Sequence, residues 1–256
     1  MSKIGMVHFV GAGCGAADLI TIRGAKLLKE ADTVIYAGSL VNPELLTYCP
    51  EAKVYNSAYM TLEEVLSRML LDVREGKDVV RLHTGDPSVY GAIREQMDAL
   101  KAEGICYDSC PGVSACFGAA ASLNLEYTLP GISQSLIITR MEGRTAVPEK
   151  ESIESFAAHE ATMAIYLSTS MLGELQRRLM AGGYPATTPA VIVYKATWPE
   201  EEAYFGTVET LEEIGQAHKI TKTALILVGQ ALKTASYDKS RLYAADFSTE
   251  YREKSL

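Results

Sequence analysis

The stretch RLHTGDPSVYGAI, residues 81–93, decides how the chain is read. Its apolar entry, continued from Asp78-Val79-Val80, has the character of a buried strand that delivers Thr84 and Gly85 to its carboxyl edge. Asp86 and Pro87 then have the types favoured at a helix N-cap and at the first helical position, which predicts a helix over 88–103 ended by Gly104. Gly85 has no Cβ, so another group can approach the backbone closely there. In α/β folds that place, beyond the carboxyl ends of strands, is where ligands bind.

Working outward, strand-like and helix-like segments alternate along the chain. MVHFVGAG, TVIYAG, KVYNSA, DVVRLHTGDP and ICYDSCPGV predict five strands in the first half. Between them lie a helix at 21–31 with Thr21 as its cap, one opened by Asn42-Pro43, and an amphipathic one in which Thr61 and Glu64 form a capping box. After the Pro111-Gly112 stop the pattern begins again. SLIITR, TMAIYLST, PAVIVYKAT, EAYFGTV and TALILVGQAL supply five more strands, and helices are expected at SACFGAAASLNL, 151–158, MLGELQRRLMAGG and TLEEIGQAH. The reading is therefore α/β, with two α/β domains, each built on a mostly parallel sheet. The expected limits are 1–112, 113–240 and a polar tail at 241–256.

Composition narrows the function. The 256 residues carry a net charge of −8, which argues against a nucleic-acid partner because phosphate binding needs a dense basic face. An acidic ligand would need a local basic pocket. No apolar run approaches the roughly 20 residues of a membrane span. The opening MSKIGMVHFVG lacks a secretory signal, so the cytoplasm is the expected location. The five cysteines, Cys14, Cys49, Cys106, Cys110 and Cys116, show no CxxC pairing and are expected as reduced thiols, with no metal site.

The glycine-rich stretch HFVGAGCGAADLITIRG, residues 8–24, satisfies G-x-G-x-x-A through Gly11, Gly13 and Ala16. A dinucleotide fold also needs an acidic residue at the end of the second strand. Here that strand ends IYAGSLV, and Asp32 precedes it. Three readings stand: a tight turn without a ligand, a nucleotide cradle, or a loop shaping a site for another ligand. CPGVSACFGAA (110–120) adds a second small-residue turn at a strand end. GISQSLIITRMEGRT, AIYLSTS and VYKATWPEE add three more.

Together these segments resemble the tetrapyrrole (corrin/porphyrin) methylases, over residues 7 to 232. The family's opening motif GAGPGDPxLLT is matched by GAGCGAADLIT, GDPxxYG stands intact as GDPSVYG, and PGxSA as PGVSA. SLVNPELL, HTGDPSVYGAIREQM, ITRMEGRTAVPE and VYKATWPEE look most like the group that methylates C-11 of precorrin-4 or cobalt-precorrin-4 in cobalamin synthesis. The resemblance implies an S-adenosylmethionine-dependent methyltransferase, releasing S-adenosylhomocysteine, with a tetrapyrrole substrate, an active site in the inter-domain cleft, and a homodimeric assembly. By motif match, Thr84, Gly85, Asp86, Val89, Ser114, Ala115, Leu167 and Ala196 would bind the cofactor. Gly11, Gly13 and Cys14 would face the tetrapyrrole, so the opening loop reads as a family glycine turn.

Cys14 stands where the family has proline, and Ala16-Ala17 where it has Asp-Pro, so no carboxylate role transfers there. Ala37 and Gly38 occupy the place of an aspartate found in some relatives, and no catalytic base is assigned. Arg140 and Arg144, in TRMEGRT, suit a two-pronged clamp on the carboxylates such macrocycles carry. Lys195 and Trp198 suit the rim, and Trp198 suits the core equally. The rival readings are a tetrapyrrole methylase acting at another ring position, a nicotinamide-dependent oxidoreductase, a methylase of RNA or protein side chains, and a non-catalytic tetrapyrrole carrier.

Overall fold

A computed structural model describes residues 5–233, 236–240 and 244–254. The chain forms two compact units, one comprising the residues up to Ser122 together with Lys195–Glu201, the other Leu123–Tyr194 and Glu202 onward.

The first unit is built on strands β1 (Val7–Gly11), β2 (Thr33–Tyr36), β3 (Lys53–Asn56), β4 (Val79–His83) and β5 (Tyr107–Cys110). They form one sheet in the order β3-β2-β4-β1-β5, and every pairing is parallel. Parallel strands covered on both faces read as apolar runs. Accordingly β4 is buried along its whole length, and β1 and β2 nearly so. One face packs Val10, Leu28, Val34, Leu45 and Leu82; the other packs Phe9, Ile35, Met69, Val73 and Leu100.

Helix starts follow the chemistry of their caps. Helix α1 (Ile22–Glu30) is capped by Thr21, whose hydroxyl accepts Gly24 N–H at 3.0 Å. Helix α2 (Leu62–Arg74) carries the full capping box, Glu64 N–H to Thr61 Oγ1 and Thr61 N–H to Glu64 Oε2. The segment behind Asn42-Pro43 has its cap but winds as a 3-10 helix over Pro43–Tyr48. Helix α3 runs Arg94–Ala102, six residues later than its expected start at 88. Residues 87–90 form a turn instead, and Tyr90 (φ 57°) and Ala92 (φ 49°) lie in the left-handed region, which no α-helix can pass through. Asp86 is thus a turn residue and not the cap of α3.

Helix α4 (Ala115–Ser122) belongs to the first unit, so the structural division falls ten residues beyond the expected 112/113 limit. Its Gly118 packs so closely on Cys14 that a Cβ would lie 2.6 Å from Cys14 Sγ. The segment Lys195–Glu201 also packs in the first unit, though it lies far along the chain.

The second unit holds β6 (Leu136–Arg140), β7 (Thr162–Tyr166), β8 (Pro189–Tyr194), β9 (Glu202–Thr207) and β10 (Ala224–Val228), in the order β6-β7-β10-β8-β9. Across both sheets parallel pairing predominates, but the expectation of a mostly parallel sheet in each half fails here. Only β6 and β7 pair parallel; β10 is antiparallel to both β7 and β8, and β9 to β8. A parallel neighbour needs a long crossover, whereas β9 follows β8 after only seven residues and returns as its antiparallel partner. Helices α5 (Ile153–Ala157), α6 (Leu172–Ala181) and α7 (Leu211–Ala217) pack on this sheet through Ile153, Leu175, Leu179 and Leu211. In the expected tail, the described residues 244–254 are turns with one isolated bridge, Thr249 to Arg252. Among the described residues no helix is long and apolar enough to cross a membrane.

Candidate functional site

In the first unit three adjacent strands, β4, β1 and β5, bring glycine turns to the same carboxyl edge. Gly13 and Gly85 form an antiparallel bridge, with Gly85 N–H to Gly13 O at 2.8 Å and Gly13 N–H to Gly85 O at 3.2 Å. A Cβ on Gly112 would stand 2.2 Å from Gly85 O and 2.8 Å from Gly11 Cα, and one on Gly11 would stand 2.5 Å from Gly112 N. Backbone therefore lies directly on backbone at Gly11, Gly85 and Gly112, and no side chain fits between them.

Gly85 differs from the other two. It is buried and left-handed (φ 59°), yet a Cβ there would meet Ser114 Cα only at 3.5 Å, an ordinary contact. A methyl group there would make only ordinary contacts with Ser114 and Ala115.

Asp86 locks two of the turns together. Its Oδ2 accepts Gly112 N–H at 2.9 Å, and its Oδ1 accepts the N–H and hydroxyl of Ser88. Burial pushes its pKa up, but the hydrogen bonds from Ser88 and Gly112 outweigh burial and hold the carboxyl below its usual range. Asp86 is therefore an anion whose oxygens are already engaged. Val89 N–H closes the turn onto Asp86 O at 3.1 Å, and the exposed Thr84 donates its hydroxyl to Leu40 O at 3.2 Å. Ser114 is buried, and its carbonyl receives Phe117 and Gly118 N–H at the start of α4, directly before Ala115.

The opening loop is no dinucleotide cradle. A nucleotide fingerprint needs a helix N-terminus directly behind the glycines. Here Ala17–Leu19 form a 3-10 turn and α1 begins only at Ile22, while Gly13 spends its N–H and carbonyl on Gly85. Thr197 holds the loop from the opposite side: its hydroxyl accepts Ala16 N–H at 3.0 Å and donates to Cys14 Sγ at 3.4 Å. Asn42 adds a bond from Nδ2 to Gly15 O at 3.0 Å. Trp198 packs on Gly15, where a Cβ would meet its Cδ1 at 2.3 Å, and Lys195 Nζ lies 5.2 Å above its ring. Ala196 is buried in the same segment. Glu201 accepts from Ser122 Oγ at 2.6 Å and from Thr197 N–H. Burial raises the Cys14 thiol, with partial relief from the Thr197 bond, so it stays protonated and is not a nucleophile.

The sequence-predicted residues thus fall into two groups. Gly11, Gly13, Cys14, Thr84, Gly85, Asp86, Val89, Ser114, Ala115 and Ala196 come together in the first unit. Leu167, Arg140 and Arg144 belong to the second, where β6 and β7 end side by side, Arg140 opposite Tyr166. Met141 N–H donates to Ser168 Oγ at 2.9 Å and joins the two strand ends. Leu167 is 61% exposed and left-handed at φ 53°, a cost that a leucine accepts only where its surroundings impose it.

The two arginines differ in kind. The Arg140 guanidinium is engaged with its own loop, donating to the carbonyls of Met141, Thr145 and Ala146. Arg144 lies on the exposed tip of that loop without an ion pair among the described residues. Glu142 reaches Arg178 at 3.4 Å, and Arg178 is also paired to Glu154 through two bonds of 2.7 and 2.8 Å.

Thr197, Asn42 and Glu201 are absent from the sequence prediction. Their signal is tertiary: Thr197 and Asn42 act on the opening loop 181 and 27 positions away, and Glu201 joins Thr197 to Ser122 at the end of α4. None of the five cysteines is in a disulfide, and among the described residues no group of three or more His, Cys, Asp or Glu could hold a metal ion.

Residues 6–212 match the family of tetrapyrrole (corrin/porphyrin) methylases. The chain belongs to that family. Among curated relatives of this methylase, the cobalt-precorrin-4 C(11)-methyltransferase of Methanocaldococcus jannaschii is 51% identical over 248 residues, 96% of each chain. The precorrin-4 C(11)-methyltransferase of Pseudomonas aeruginosa is 41% identical, over 96% of this chain and 98% of its own. Among solved structures, the cobalt precorrin-4 methyltransferase CbiF superposes with a TM-score of 0.87 at 46% identity, over 90% of this chain and 96% of that one. A uroporphyrin-III C-methyltransferase from Thermus thermophilus, complexed with S-adenyl homocysteine, gives 0.76 at 26% identity, over 90% and 94%.

The glycine contacts of this methylase make a ranked prediction. Gly85→Ala has room for its methyl group and should cost about 1 kcal/mol for the left-handed backbone. Gly112→Ala drives a methyl group into the Gly85 carbonyl and should cost about 3 kcal/mol. Urea unfolding of both variants measures the difference; equal losses, or the reverse order, would refute the backbone-on-backbone account.

Proposed function

We propose that the chain methylates C-11 of cobalt-precorrin-4, with S-adenosylmethionine as the donor, in cobalamin biosynthesis. The carrying observation is identity: 51% and 45% to two cobalt-precorrin-4 C(11)-methyltransferases, each over 96% of this chain, against 41% to the precorrin-4 enzyme of Pseudomonas aeruginosa. That order favours the cobalt-containing macrocycle. Action as a homodimer in the cytoplasm is part of the same proposal.

Thr84, Gly85, Asp86, Val89, Ser114, Ala115 and Ala196, with Leu167 from the second unit, are the residues proposed to hold the cofactor. The turn geometry supports this placement: Gly85 is a buried left-handed residue bridged to Gly13, at a strand end where α/β folds take ligands. When bound, the cofactor supplies an electrophilic methyl group whose sulfonium charge disperses as the methyl leaves. The protein's part is alignment and the exclusion of water. Strand-end turns whose side chains are small and whose carbonyls are held by neighbouring loops suit that part. Orienting two reactants is worth up to roughly 7–11 kcal/mol in good cases. No nucleophile is required from the protein. His83, next to the motif, is held neutral by burial and by the charge of Arg81, with its pKa down at about 3.

Gly11, Gly13 and Cys14 are proposed on the tetrapyrrole side of the site, and Arg144 as the group that binds a macrocycle carboxylate. Arg140 supports Arg144 from behind: its guanidinium shapes the loop and leaves Arg144 as the cation at the tip.

Three measurements test the reading. Purified protein given isotopically labelled methyl donor and each candidate macrocycle should add one methyl group at C-11 of the cobalt form, seen by mass spectrometry and NMR; a methyl at another carbon would overturn it. Gly85→Arg should abolish S-adenosylhomocysteine binding in calorimetry, with circular dichroism recorded to establish that the variant measured is folded. Arg144→Ala should raise the KM for the tetrapyrrole about tenfold and leave that for the cofactor unchanged; an unaltered tetrapyrrole KM would remove Arg144 from recognition.

A further inference from the structure

Arg81 and His83 alternate on β4 and so share one face of the strand, immediately before the GDPSVYG turn. Both are buried, Arg81 at 7% and His83 at 5% exposure. Among the described residues Arg81 has no carboxylate partner. Its Nε donates to Gln96 Oε1 at 3.2 Å and its Nη1 to Ile35 O at 3.1 Å. A buried guanidinium facing only neutral acceptors is expensive. A glutamate at 96 would satisfy it better.

Glutamine differs from glutamate in having a donor, and the donor is used. Gln96, 4% exposed on the first turns of α3, directs Nε2 to Ala92 O at 3.0 Å. Ala92 is the last left-handed residue of the loop, two positions before α3 begins. The segment 86–92 is therefore fixed at both ends. Asp86 ties its start to Gly112, and Gln96, seated on Arg81, ties its finish to the interior. His83 contributes no bond to this arrangement, since its Nε2 has no hydrogen-bond partner.

We propose that Gln96 is a positioning residue for the cofactor loop. Its amide transmits the fixed position of Arg81 to the Ala92 carbonyl and keeps Thr84–Val89 in the conformation that binds S-adenosylmethionine. Arg81 thus acts at one remove, as the seat that selects the amide orientation. The inference rests on the cofactor placement given above. Without the Gln96 donor the loop's far end is released, the binding-competent fraction falls, and apparent affinity falls by the same factor.

Gln96→Glu separates this role from a structural one. Glutamate keeps the acceptor for Arg81, adds a compensating charge, and removes the donor to Ala92. The expected result is a melting temperature equal to or above that of the wild type, together with a Kd for S-adenosylhomocysteine raised about fivefold. A merely structural role would move stability and affinity together. Gln96→Met removes both bonds, and should lower the melting temperature as well as weaken binding; if the glutamate variant does not fold, an unchanged Kd in the folded methionine variant still overturns the role of Gln96. Gly85→Arg is measured alongside. If it binds like the wild type, the cofactor placement itself is wrong. If it loses binding while the Gln96 variant that folds retains a Kd within twofold of wild type, the placement stands and the role of Gln96 is overturned.

Discussion

The first unit depends on backbone packed against backbone where β1, β4 and β5 end. Gly11, Gly85 and Gly112 meet with no side chain between them, and the Gly13–Gly85 bridge holds the first two turns edge to edge. Protein interiors are as dense as molecular crystals, so a single methyl group on Gly11 or Gly112 displaces main chain. Three strand ends can share a single surface only because of this. The other features of the candidate site are added to it: the Asp86 carboxylate that joins the second turn to the third, and the Thr197 hydroxyl that accepts from the opening loop.

The electrostatics of the site are those of a holder. Asp86 is kept ionised by its hydrogen bonds and spends that charge on neighbouring N–H groups. The Cys14 thiol is kept neutral by burial, as is the His83 imidazole, and desolvation pushes even Arg81 down to about 10. A displacement at a sulfonium carbon needs alignment and a dry surface more than it needs proton transfer from the protein. In an acidic chain of net charge −8, Arg144 is an exposed cation at the tip of its loop, which is why it is the residue proposed to bind a macrocycle carboxylate.

Much of this was legible along the chain. Among the described residues all ten strands lie within the segments expected to form them, and Thr21, Asn42 and the Thr61–Glu64 box cap as their residue types require. Motif spacing brought the glycine turns and Asp86 to one edge. Helix α3 starts later than Asp86-Pro87 predicts because the local preference for a cap is overridden: Asp86 is drawn to Gly112, 26 positions on, and Tyr90 and Ala92 adopt left-handed backbone that their residue types do not announce. The second sheet departs from the expected parallel pairing for a related reason. Periodicity marks a strand and not its sense, and β10 inserts between β7 and β8 against both.

The elements, the α/β class, the family and the residues at the strand ends can be read along the chain, because propensity, capping and motif spacing are written locally. Which groups those residues bond came from the three-dimensional fold. It joined Lys195–Glu201 to the first unit, assigned Arg140 to its own loop while leaving Arg144 at the tip, and seated Gln96 between Arg81 and Ala92. A hydrogen bond depends on distance and direction in space, and neither is encoded in the separation of its partners along the chain.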